Sequence, residues 1–140
     1  AKVVEASKDS PVFYVPYADA RIRSIGRRFA DAGIACAGEA DLDRLDAEDL
    51  ALVKLAAQFP RVVEGAAAAR EPHRVAFYLY DLAAAFHAYF NVGNDRADRR
   101  VLIADDPVLS CARLYLANGI GQIIRNGLAL MGVAAAEEMK

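Results

Sequence analysis

The stretch from Val75 to Phe90 constrains this chain more than any other. Val75, Leu79, Leu82, Phe86 and Phe90 recur at spacings of 4, 3, 4 and 4. That is the period of an α-helix, and it makes an apolar stripe wide enough to need covering by at least two neighbouring elements. Tyr78, Tyr80 and Tyr89 border the stripe. A helix of this kind is stable only inside a helical bundle or against a sheet, and nothing else in the chain supplies a sheet. No segment alternates apolar and polar residues over a strand length, and the Asn-Gly pairs at Asn118 and Asn126 fall inside helical periodicity rather than between two strands.

The other helices announce themselves by the same periodicity and by their ends. Ser10 and Pro11 suit an N-cap and first helical position, and Ala18, Ile22, Ile25 and Phe29 then follow at 4, 3 and 4, which predicts a first helix ending near Ala32 and stopping at Gly33. Pro16 lies awkwardly within it, since proline removes a backbone donor, so a kink or a late start is expected there. After a polar connector from Gly33 to Arg44, Asp46 caps a second helix with Glu48 and Asp49 in its first turn and Leu52, Leu55 and Phe59 inward. Pro60 to Arg70 reads as a short Ala-rich helix, and Pro72 closes it and opens the long helix described above. Val92 to Asp106 is a charged loop. Asp106 with Pro107 then starts a last helix with Leu109, Leu116, Ile120, Ile123 and Met131 inward. The expected fold is all-α, a bundle of about five helices.

With 140 residues, 56% of them hydrophobic, the chain can bury one core and not comfortably two. A formal charge of -2 and a pI near 5.7 argue against a domain that holds nucleic acid by bulk charge, so any such contact is local. The charges are uneven: Arg21, Arg23, Arg27 and Arg28 crowd one segment, and Glu39, Asp41, Asp43, Asp46, Glu48 and Asp49 the next. Cys36 and Cys111 are the only cysteines and form no short pair, so no disulfide scaffold or export is expected and a reducing cytoplasm fits. Asp81 interrupts the best apolar run, Ala76 to Phe86, well short of a membrane span. His73 and His87 lack the spacing and partners of a metal site, and each is expected as a capping or core histidine; no phosphate loop or nucleophile constellation is present, so catalytic and metal-binding residues are both expected to be none.

Two polar stripes stand out. Tyr17, Arg21, Ser24 and Arg28 are expected to share one face of the first helix, opposite its apolar stripe, and Tyr115, Asn118, Gln122 and Arg125 one face of the last. Guanidinium groups beside an aromatic ring suit a phosphate backbone or an unstacked base, although a solvated face is the commoner meaning of such a stripe.

Three segments, VFYVPYADARIRSI, EPHRVAFYLYDLAAAFHAYFN and ARLYLANGIGQIIRNGLALMGVAAAEEM, resemble in this order the C-terminal domain of arginyl-tRNA synthetases, often called the DALR domain. QFPRVVEGAA between the first two also resembles that family's junction before a short helix. The resemblance implies a helical domain that grips the anticodon arm of the tRNA for arginine, while a separate ATP- and Mg2+-dependent catalytic domain attaches the amino acid. Neither the His-Ile-Gly-His-type nor the Lys-Met-Ser-Lys-type signature of class I synthetases occurs here, so no cofactor is expected on this chain. Residues 1–10 would connect to the catalytic part, and 134–140 would form a C-terminal tail. The implied partners are tRNA and the enzyme's own catalytic domain, with no DNA and no membrane.

By resemblance, the anticodon loop is met by the loop after the long helix, by the last helix and by a methionine near the C-terminus, here Asn91 to Arg100, the region of Arg125 and Asn126, and Met139. With the first-helix stripe, the expected tRNA-binding set is Tyr17, Arg21, Arg28, Tyr89, Asn91, Arg96, Arg99, Arg100, Arg125, Asn126 and Met139. The chain departs from relatives at Pro16, where glutamine is usual, at Asp19, where histidine is usual, and in the order of Tyr89 and Phe90. These departures shift the expected contacts from the first helix toward the loop and the last helix. Two other readings are a protein-docking module and the related domain of the glycyl-tRNA synthetase β subunit.

Overall fold

The computed structural model describes the backbone of residues 11–138 and the side chains of residues 14–132. Among these residues there are five α-helices and no strand: α1 Pro11–Asp31, α2 Ala47–Ala56, α3 Phe59–Ala69, α4 His73–Val92 and α5 Pro107–Glu138. Short 3-10 turns at Leu42–Arg44 and Ala97–Arg99 punctuate the two long connectors. The all-helical bundle expected from periodicity is the fold observed.

The stripe predicted for α1 is fully buried, and those of α2 and α4 are buried apart from the half-buried Leu55, Phe59 and Phe90; on α5 Leu116 and Ile120 are buried as predicted, but Ile124 is buried in place of Ile123, and Leu109, Ile123 and Met131 are half-buried. Ala18, Ile22, Ile25 and Phe29 of α1, Leu79, Leu82 and Phe86 of α4, and Leu116, Ile120 and Ile124 of α5 form one continuous core. The helix α1 packs on both α4 and α5, which also pack on each other, while α2 and α3 cover the remaining side of α4. Where α5 crosses α4 the fit leaves no room for a side chain: a Cβ on Gly127 would stand 2.6 Å from the Leu79 methyls.

The ends follow local chemistry. Gly33, with φ +71°, stops α1 in the left-handed region that glycine enters without steric cost. Asp46 and Asp49 form a reciprocal capping box at the start of α2, each carboxylate accepting from the other's backbone N–H. Asp106 caps α5 through the Leu109 N–H at 3.2 Å. The Arg44 guanidinium, which pairs with Asp106, and that N–H hold the Asp106 carboxyl below the usual carboxylate range. Tyr78 donates its hydroxyl to the Leu55 and Ala56 carbonyls at the end of α2, fastening α4 to it, and burial pushes this phenol up to about 12.

Three expectations need correcting. Pro16 lies inside α1, which starts at Pro11, so the late start allowed for there does not occur, and the proline ring is exposed. The helix α5 continues to Glu138 through most of the stretch expected to be a tail; Met139 lies outside the described residues. Cys36 and Cys111, expected to be unpaired, are joined in a disulfide with their Cα atoms 5.5 Å apart. They are 75 residues apart in sequence, and only the docking of the 33–46 connector beside α5 brings them together, which no spacing rule detects.

Candidate nucleic-acid interface

The polar stripe of α1 does not lie opposite its apolar stripe but beside it, along the edge where α1 meets α4. Tyr17 is half-buried, its ring 5.3 Å from that of His87. Arg21 is the centre of this edge. Its guanidinium lies over the Phe90 ring at 4.4 Å and near the Tyr17 ring at 5.1 Å, and its Nη atoms reach the Tyr17 hydroxyl at 3.3 Å and Asn91 Oδ1 at 3.4 Å. Arg21 Nη1 also stands 3.2 Å from His87 Nδ1. A guanidinium can only donate, so Nδ1 accepts and the neutral imidazole carries its proton on Nε2, facing the Tyr14 carbonyl at 3.3 Å. Of the two roles expected for a histidine here, capping or core, His87 takes the core one, 4% exposed, and it orients an arginine.

Further along the same edge, Arg28 is exposed and has no carboxylate partner among the described residues. The exposed Arg100, from the loop after α4, lines the same cleft as Arg28, with its Nε donating to the Gly93 carbonyl at 2.9 Å. Gly93 is required for this approach, because a Cβ there would stand 2.9 Å from Arg100 Cγ. Tyr17, Arg21, Arg28, Asn91 and Arg100, expected from separate segments, therefore form one contiguous surface.

Arg125 and Asn126 lie on the other flank of α1. Arg125 Nη1 donates to Asp19 Oδ1 at 2.7 Å, and Asp19 also pairs with Arg23 at 3.3 Å. Asp19 is therefore the anchor that ties Arg125 to α1 rather than an isolated charge among arginines. Gly121 makes room for it, since a Cβ there would stand 3.3 Å from Asp19 Oδ1. Asn126 is exposed and accepts from Gln122 at 2.9 Å. Arg96 is exposed too, but it shares its charge with Asp98 at 3.3 Å and Glu48 at 3.8 Å.

Two residues of the expected set are turned inward. Arg99 is buried, paired with Asp46 and with Asp49 at 3.1 Å and Glu48 at 3.3 Å. Burial opposes its charge, but these three carboxylates more than restore it and raise its pKa. Tyr89 donates its hydroxyl to Asp49 Oδ1 at 2.6 Å; burial and that ionised acceptor push the phenol well above its ordinary value. Neither group is presented to a ligand, because the fully buried Asp49 needs both as donors.

The hub of this network was not anticipated. Arg113, 2% exposed, lies 3.3 Å from Asp49 and donates to the carbonyls of Asp98 at 2.9 Å and Arg100 at 2.8 Å. Ser110, also buried, donates to the Ile103 and Asp106 carbonyls and accepts from the Ile103 N–H. Together they fix the loop that carries Arg100. The signal was present: Arg113 falls in register with Leu109, Leu116 and Ile120, where a long cation has to find partners in the core. Asp46 is held below the usual carboxylate range: partial burial opposes this, and the Asp49 N–H and Arg99 overcome it. Among the described residues no group of three or more His, Cys, Asp or Glu side chains is arranged to hold a metal ion, and no helix is long and apolar enough to cross a membrane.

The DALR anticodon-binding domain model matches residues 15–139. The chain belongs to this family. The DALR domain described here is 63% identical over 139 residues to an arginine–tRNA ligase of Novosphingobium aromaticivorans, covering 99% of this chain and 24% of that protein. It is 48% identical to the arginine–tRNA ligase of Rhodospirillum rubrum and 49% identical to one from Cereibacter sphaeroides, over 100% and 99% of this chain and 25% of each relative. This DALR domain thus spans about a quarter of the length of the curated relatives it matches. No solved structure matches it significantly.

Proposed function

We propose that this chain is the anticodon-recognising domain of an arginine–tRNA ligase, selecting and positioning the tRNA for arginine while ATP, Mg2+ and the amino acid react elsewhere on the longer polypeptide. The carrying observation is that a member of the DALR family gathers Arg21, Asn91, Arg28 and Arg100 from two helices and a loop onto one surface. In this reading the arginines, with Arg96 and Arg125, hold phosphates and set the register. Tyr17, Asn91 and Asn126 meet unstacked bases, as does Met139 beyond the described residues. Tyr89 and Arg99 act from beneath by holding the loop. The residues present do not fit an ATP site: they include neither class I signature, and no step of the ligation is assigned to them. In this reading the protein works in the cytoplasm, where its tRNA substrate is found. Neither DNA nor a membrane is an expected partner.

The test is a titration of this chain with a tRNA bearing an arginine anticodon and with the same tRNA after an anticodon change, at low and moderate salt. Tighter binding of the first is expected, and equal affinity for both would remove the specificity claim.

A second role is favoured by a separate observation. Phe77 is 66% exposed, and it lines an apolar groove of about 500 Å3 with Val15, Tyr80, Leu128 and Met131. We propose that this face docks on the rest of the synthetase. Charge reversal at Arg21 and Arg28 separates the roles, weakening tRNA binding and sparing docking.

A further inference from the structure

The connector between α1 and α2 is fastened to the start of α5 at two points. Arg44 pairs with Asp106, the cap of α5, and Cys36 is bonded to Cys111 in the second turn of that helix. Residues 34–41 have no regular secondary structure, and the 3-10 turn at Leu42–Arg44 that follows packs on α5. Ile34 is the one apolar side chain of residues 33–46 packed against the core, so the bundle does not need the connector to complete it. The Arg44–Asp106 pair is largely exposed, and exposed ion pairs hold weakly. The sulfur bridge is therefore the stronger of the two fastenings.

That bridge is open to solvent. Cys36 is exposed and Cys111 half-buried, and both line a cleft of about 340 Å3 together with Glu39, Asp41, Tyr115 and Asn118. Exposed disulfides are the labile ones, because a reductant can reach a sulfur. Glu39 and Asp41 are the charged groups of the cleft and no cation lines it, so it repels an anionic thiol peptide and admits an uncharged oxidant. The chain has two cysteines in all, so each is the other's partner within the molecule.

We propose that Cys36 and Cys111 are a reversible oxidation site, a thiol pair that hydrogen peroxide closes and a dithiol reopens, and that closure clamps the connector onto α5. In a reducing medium the pair rests as two thiols. The Cys36 thiolate, the more exposed, attacks one peroxide oxygen; the O–O bond breaks, the other oxygen leaves as water with the thiol proton, and Cys36 becomes a sulfenic acid. Cys111 Sγ then attacks Cys36 Sγ and displaces that hydroxyl, which leaves as a second water with the Cys111 proton. The two sulfurs lose two electrons and the peroxide gains them. A dithiol reverses this by attack on the exposed Cys36 Sγ through a mixed disulfide, and is itself oxidised to a cyclic disulfide. The site shares no residue with the arginine surface and does not depend on the tRNA reading.

The experiment starts from the fully reduced 140-residue chain, freed of reductant and treated with hydrogen peroxide, and follows intact mass and the linked peptides. The wild type is expected to give a monomer lighter by two hydrogens with Cys36 joined to Cys111, and a dithiol added without denaturant should restore the starting mass. Cys111→Ser should stop at a Cys36 sulfenic acid that dimedone traps. Cys36→Ser should react on the order of tenfold more slowly, because the remaining thiol is half-buried. Disulfide-linked dimers, or a wild type that accumulates sulfenic or sulfinic acid, overturn the proposal. So does a bridge that a dithiol opens only in denaturant, or a chain that unfolds when reduced, since either makes the bond a structural staple. The clamp is read by hydrogen exchange at the Arg44 and Leu45 amides, which donate to the Asp41 and Leu42 carbonyls. They should exchange on the order of tenfold faster in the reduced chain, and in Cys36→Ser, while α4 is unchanged; equal exchange in both states removes the clamp. Far-ultraviolet circular dichroism confirms that each variant is folded.

Discussion

Replacing Asp49 by alanine tests the claim that a buried carboxylate holds the loop after α4. The side chain is fully buried and accepts from the Asp46 N–H, the Tyr89 hydroxyl, Arg99 and Arg113. Removing one partner of a buried ion pair costs about 3–5 kcal/mol, because the surviving charge is left uncompensated. Arg99 keeps Asp46 and Glu48, and Arg113 keeps two carbonyls, so the lower end, about 3 kcal/mol, applies. Loss of the capping box adds about 1 kcal/mol. The total of about 4 kcal/mol corresponds to a thermal midpoint lower by roughly 16 °C for a chain of this size. Urea unfolding followed by circular dichroism should show the midpoint falling with an unchanged m-value. Hydrogen exchange should lose protection at residues 93–101 before the helices do. Combining Asp49→Ala with Arg113→Met should recover part of the loss, since the stranded buried charge is then gone. A loss below about 1 kcal/mol, typical of a surface pair, would refute the reasoning.

Gly127→Ala should destabilise the domain by about 1–3 kcal/mol through overpacking against Leu79, and a companion Leu79→Ala should relieve part of that loss in the same urea assay. Reduction of the oxidised protein should release two thiols and lower stability by about 2–4 kcal/mol, the usual effect of opening a long loop; thiol titration alongside unfolding checks both. Tyr78 ionises near pH 12 in the folded domain against about 10 when unfolded, so its contribution is complete below pH 10 and declines as pH rises toward 12. Unfolding free energy in that window should fall less steeply for Tyr78→Phe than for wild type.

The asparagines and arginines of the interface were legible only as types. Helical spacing put Tyr17, Arg21 and Arg28 on one face of a helix, but it could not say that α4 would bring Asn91 and Phe90 to that face. Two adjacent arginines in one loop show how little charge alone reveals. Arg100 points out, while Arg99 turns into the core, because the carboxylates of a distant capping box await it there. Asp19 likewise reads as an intruder beside the α1 arginines, and becomes an anchor only once Arg125 arrives from α5, 106 residues away.

What the chain determined locally was the helices and their ends. The period of Val75, Leu79, Leu82 and Phe86, the left-handed stop at Gly33, and the caps at Asp46 and Asp106 depend on interactions reaching only a few residues along the backbone. Tertiary structure decided the rest: the pairing of Cys36 with Cys111, the inward turn of Tyr89 and Arg99, the place of Arg113 at the hub, and the shared surface of Arg21, Arg28 and Arg100. These depend on which helix faces which, and burial sets their energies. A buried charge must be matched by whatever the fold brings within about 3 Å of it, and sequence spacing does not encode that distance.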